Sequence, residues 1–209
     1  MDDKKKGGND GNGEKDALEK ARELLKDKMP DQAIAYINNN KEKLTGEDIY
    51  VGQGIKGMAF MEKACNVKVN GKDDKAGRKQ KKSFFNTATK CFGVASKTTD
   101  QIERISWLEK QKDALSAAGE ITKVLEVFDK IISFCDNFAK KEKFIKDKKE
   151  WNGKVEAFKK EKEDLELKIT SAKINAMVAK EKVAQEDKRI ATQIKEAEDT
   201  GKRVEPSGF

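Results

Sequence analysis

At 209 residues the chain is long enough for one ordinary domain and an extension. Charged residues make up 40% of it and hydrophobic residues only 36%, too little core for a compact sphere, so an elongated helical shape or disorder is left. Regular helical spacing of the apolar residues excludes disorder for most of the chain, and the absence of histidine removes the commonest general base and metal ligand.

The chain opens MDDKKKGGNDGNGEKD, polar and glycine-rich, so residues 1–14 are expected to be a disordered tail. A first helix is expected from about Lys15 to Lys28, with Ala17, Ala21, Leu24 and Leu25 as its apolar stripe. Pro30 suits the first turn of a second helix, which carries Ala33, Ile34 and Ile37 and ends near Asn38–Asn40. Thr45 and Asp48 have the spacing of a capping box for a third helix bearing Ile49, Ile55, Met58, Ala59, Met61 and Ala64. A polar loop is expected over about Val69–Lys79, then a fourth helix to Ser96. Thr98 and Gln101 repeat the capping-box spacing before a fifth helix with Ile102, Ile105, Leu108, Leu115 and Ala118, which Gly119 closes. A sixth helix starts near Ile121 and carries Val124, Phe128, Ile131, Phe134 and Phe138.

From Lys140 the period changes. With Val155 at position a of a heptad, Phe144, Trp151, Phe158 and Leu165 fall at d and Ile169, Ala176, Val183 and Ile190 at a. A long charged helix is therefore expected over residues 140–199, roughly 90 Å at 1.5 Å per residue, before a tail at 200–209. Its seam is thin, because Ala172, Ala176 and Ala179 bury little area. Phe144, Trp151, Phe158, Leu165 and Ile169 are the expected helix-pairing residues.

Residues 15–139 form the other domain. In its fourth helix Ala88, Phe92 and Ala95 make A-x3-F-x2-A, and this segment resembles the second helix of a tetratricopeptide repeat. Ala33, Ile37 and Asn40 give a degraded copy, and Val124, Phe128 and Ile131 a third. The resemblance covers residues 15–138 and implies an array of helix pairs with a protein-binding concave face. A steady repeat length, the first-helix tryptophan and the closing proline of the family are missing, and a generic antiparallel bundle would place these residues similarly. The fold class is thus all-α: antiparallel helix pairs, as array or bundle, followed by a coiled-coil-like helix.

Three motifs bear on chemistry. Gly52, Gly54 and Gly57 match G-x-G-x-x-G, but without a preceding strand the glycines read as a face for close helix packing rather than a phosphate cradle. Residues 71–100 carry eight basic and three acidic side chains. Within them Arg78, Lys79, Lys81 and Lys82, followed by Phe84 and Phe85, could meet an acidic partner or nucleic acid. Cys65, Cys91 and Cys135 are too far apart for metal-ligand spacing and are expected to be buried thiols.

No enzyme activity, cofactor or metal site is expected. The function expected is a noncatalytic interaction scaffold or adaptor. Its partners are proteins, further copies of the chain included, with nucleic acid second and no membrane insertion. The alternatives are a structural subunit of a filament or sheath and a basic protein associated with nucleic acid or ribosomes. No signal-peptide pattern opens the chain, so the expected location is cytoplasmic.

Overall fold

A computed structural model describes residues 12–71, 73–141 and 145–201, and side-chain surroundings over 17–71, 73–141 and 147–196. Every regular element among them is helical: α1 (Asn12–Lys26), α2 (Pro30–Asn39), a 3-10 turn (Lys41–Lys43), α3 (Glu47–Asn66), α4 (Lys75–Ala95), α5 (Gln101–Ala118), α6 (Ile121–Lys141) and α7 (Ile145–Gly201). The protein is all-α. Phe144 lies outside the described residues.

The chain divides into two compact units, Met1–Lys159 and Lys160–Phe209. In the first, each helix from α1 to α6 packs chiefly on its neighbours in sequence, and α1 also meets α3. Short connections force this, and local chemistry sets them. Lys28 takes a left-handed φ of 58° while Met29 N–H closes on Leu24 O at 2.8 Å, and Pro30 starts α2 at once. Gly119, at φ 77°, ends α5 as expected, with Glu120 N–H donating to Leu115 O.

Three helix starts differ from expectation. The N-cap of α3 is Gly46, at φ 54°, and no side chain caps the helix. Thr45 stands one residue too early to serve. The loop before α4 ends earlier than Lys79, because the Asp74 carboxylate accepts the Gly77 N–H at 2.8 Å and opens α4 at Lys75. The carboxylate also places a negative charge against the positive end of the helix dipole, offsetting the lysines there. For α5 the cap is Asp100, which accepts from Glu103 N–H at 2.9 Å; Thr98, expected in that role, is bonded elsewhere.

The core of this unit is a chain of small clusters. Leu18, Ala21, Ile37, Leu44 and Ile55 join α1, α2 and α3. Ala64, Phe85 and Ala118 form a second cluster, and Ala88, Phe92 and Ala114 a third with Trp107 against it. Ala64 clusters with Phe85, and Gly57 lies under Phe92, so α3 and α4 run antiparallel. Ile49 and Ile102, expected on buried stripes, are exposed in the first turns of α3 and α5.

In the second unit the described side chains from Lys160 to Glu196 belong to α7. Lys162, Leu165 and Ile169 are half-buried, and every described residue from Thr170 to Glu196 is exposed. Residues 154–200 carry eleven basic and eleven acidic side chains, so this stretch contributes nothing to the net charge of +7.

Candidate interaction surfaces

The glycine triplet is internal to α3. Gly52 already lies beyond the first turn, so its N–H and those of Gly54 and Gly57 fall within the helical ladder and are not open to a phosphate. The glycines provide room for packing instead. A Cβ on Gly57 would stand 2.6 Å from Phe92 Cε1, and one on Gly52 would stand 3.0 Å from Leu44 Cδ1. Phe92 in turn stacks on Trp107, with ring centroids 6.0 Å apart. Glycine at Gly54 and Gly57 thus lets the Trp107 and Phe92 rings lie on the helix backbone.

The basic patch at the start of α4 is partly committed. Arg78 Nη2 donates to Gly71 O at 3.0 Å, and Lys82 pairs with Glu120 at 3.0 Å. Lys79 is exposed and Lys81 half-buried. Phe85 is buried and Phe84 half-buried, beside Ala64 and Ala118. Phe85 therefore fills core, while Phe84 packs at its edge with the Lys63 ammonium 4.8 Å from its ring.

The expected helix-pairing residues separate into two groups. Trp151, Val155 and Phe158 are buried. Trp151 meets Phe138 edge to face at 4.6 Å and Phe158 meets Phe128 at 6.5 Å. The Lys112 ammonium sits 5.0 Å from the Phe128 ring and 5.9 Å from the Phe158 ring, and the Lys154 ammonium lies over the Trp151 ring at 4.1 Å. Trp151 and Phe158 thus pair α7 with the protein's own α6. Leu165 and Ile169 belong to the other unit. Beyond them Ile174, Met177, Val183, Ile190 and Ile194 are 45–64% exposed.

A cluster around Glu47 gives no signal in sequence. Thr98 Oγ1 donates to Glu47 Oε2 at 2.5 Å, Thr99 Oγ1 donates to Oε1 at 2.7 Å, and Thr99 N–H donates to both oxygens at 3.2 Å. Arg104 Nε donates to Thr98 O at 3.0 Å. These bonds hold the carboxyl below its ordinary value, the Thr98 hydroxyl contributing most and Thr99 next. The cluster ties the start of α3 to the connection between α4 and α5, across 51 residues of chain. Such a distance leaves no periodicity to read.

Cys91 and Cys135 are buried, but Cys65 is exposed, which corrects the expectation for it: it lies in the last turn of α3. Burial raises the Cys91 thiol and pushes Cys135 up to about 11. Among the described residues no three of Cys, Asp or Glu gather in a way that could hold a metal ion, and no helix is long and apolar enough to cross a membrane. Comparison with protein-family models, with curated proteins and with solved structures finds no match to the chain.

Proposed function

We propose that this chain is a noncatalytic protein–protein interaction scaffold: helix pairs of tetratricopeptide type, with the second unit as an interaction helix. The observation that carries the reading is the exposure of Leu167, Ile174, Met177, Val183, Ile190 and Ile194 along α7. A helix draws most of its stability from packing an apolar face, so exposed apolar residues at helical spacing favour a docked partner. Burial of Ala88, Phe92 and Ala95 on one face of α4 supports the repeat-type pairing.

The test is capture from native extract on the immobilised full chain, at physiological salt, with and without nuclease. A defined set of proteins that survives nuclease and is lost with Val183→Glu plus Ile190→Glu supports the scaffold. Loss of the bound material after nuclease overturns it in favour of nucleic acid, held by electrostatics at the start of α4.

One observation favours the filament subunit as a second reading. At 100° per residue Leu167, Ile174 and Val178 fall on one side of α7, and Ile169, Val183 and Ile190 on the opposite side. A helix with two apolar sides could touch two neighbouring copies at once.

A further inference from the structure

The sequence between Lys162 and Glu186 has a symmetry about Ile174. The heptad seam through it reads Lys162, Leu165, Ile169, Ala172, Ala176, Ala179, Val183, Glu186. The two charged members are of opposite sign and stand equally far from Ile174. Between them six uncharged residues run without interruption, and Ala172, Ala176, Ala179 and Val183 are exposed.

We propose that residues 162–186 pair antiparallel with the same residues of a second copy, centred on Ile174. This rests on reading α7 as an interaction helix, and it names the partner. In this register Lys162 of one copy faces Glu186 of the other at both ends of the seam. Leu165 faces Val183, Ile169 faces Ala179, and Ala172 faces Ala176, so position a meets position d throughout, as antiparallel packing requires. The larger residues of the first half meet the smaller ones of the second. On the flank, Glu166 falls beside Lys180 and Glu161 beside Arg189, both favourable. Lys168 beside Lys182 and Lys173 beside itself oppose the pairing.

A parallel, in-register pair is the competing arrangement, and its charges conflict where it matters most. It sets Lys162 against Lys162 and Glu186 against Glu186 inside the seam. On the flanks it sets Glu161 against Glu166 and Lys168 against Lys173, with Lys182 beside Asp187 as the favourable contact. Like charges in a seam select against an arrangement even where apolar area would permit it. The Lys162 ammonium also lies 3.6 Å from Glu166 on its own helix, a contact within one helix that is the same for either direction of pairing.

The test is a charge-exchange cycle on the full chain, with self-association measured by analytical ultracentrifugation. Lys162→Glu alone and Glu186→Lys alone each set like charges against one another at both ends of the antiparallel seam. Each is expected to weaken the dimer at least about tenfold, the equivalent of about 1.4 kcal/mol, and the double exchange is expected to restore it. Parallel pairs respond differently, because a single exchange only replaces one like-charge contact by another. Singles without effect, or a double that fails to restore association, overturn the antiparallel register. A wild-type chain that stays monomeric at every concentration overturns self-pairing. If that monomer still captures extract proteins, the scaffold reading stands without it; if it captures none, both fail. Circular dichroism on each variant checks that the helices are retained.

Discussion

Trp107 lies across Gly54, so that a Cβ on the glycine would stand 2.5 Å from Cζ2 of the indole. The helix surface at this point is formed by backbone, and the largest side chain available rests on it. Gly54→Ala must displace an indole already stacked on Phe92. Overpacking of this kind costs about 1–3 kcal/mol, and a lowered thermal midpoint is the expected result. Gly57→Ala, under Phe92, is expected to do the same. Gly153 in α7 is the control: a Cβ there meets nothing within 4 Å, and Gly153→Ala is expected to stabilise the helix by about 0.5–1 kcal/mol. Equal midpoints for Gly54→Ala and wild type would show that the indole moves aside freely.

The Glu47 cluster makes stability depend on acid. Its carboxyl is held below the ordinary value in the folded chain, first by the Thr98 hydroxyl and then by Thr99. A lowered folded value means that the contribution is fully present above the unfolded value, about 4.3 for a glutamate, and is lost as pH falls through the folded one. The midpoint of Glu47→Gln should lie below that of wild type near neutrality, and the gap should close as pH is lowered past about 4. A gap that stays constant down to strong acid would mean that the ionised carboxylate contributes nothing beyond its shape.

Thiol accessibility separates the three cysteines. Cys65 is exposed, while Cys91 and Cys135 are buried and their thiols are raised by burial. The thiolate is the reactive form, so burial and a raised pKa both slow modification. In native protein one thiol per chain is expected to react with a maleimide at neutral pH, and Cys65→Ser is expected to abolish that reaction. All three react after unfolding. Rapid native labelling of the Cys65→Ser variant would contradict the packing of α4 or α6.

What the sequence revealed was what is local. Pro30 and Gly119 mark a helix start and a helix end by backbone geometry alone, and both act where expected. The caps were harder to read. Thr45 and Thr98 have the right spacing to an acidic or amide residue, but Gly46 and Asp100 stand nearer the true starts and win. The hydrophobic stripes mark faces without naming what covers them. One heptad seam contains both Trp151, covered by Phe138 of the same chain, and Val183, which is exposed; periodicity is the same for both. The Glu47 cluster is invisible for a related reason, since a carboxylate and two threonines far apart in sequence carry no joint pattern. The glycine triplet was legible as a packing face because its helix lacks the strand that a phosphate loop would need, though the rings that fill it belong to α4 and α5.

The two halves of that seam should respond differently to truncation. Trp151 is 6% exposed and Val183 is 61% exposed. Trp151→Ala removes an aromatic ring held edge to face by Phe138 and covered by Lys154, and core deletions of this size cost about 3–5 kcal/mol. Val183→Ala removes two methyl groups from solvent, and a surface change of that kind stays within about 0.5 kcal/mol. Urea unfolding on dilute protein, where any association is negligible, gives both numbers. The expected result is a large drop in midpoint for Trp151→Ala and almost none for Val183→Ala. The order reverses in self-association: Val183→Ala shortens the side chain that faces Leu165 in the proposed pair, while Trp151 lies outside it. A Val183→Ala chain that unfolds as easily as Trp151→Ala would place Val183 in the monomer core and remove it from any interface.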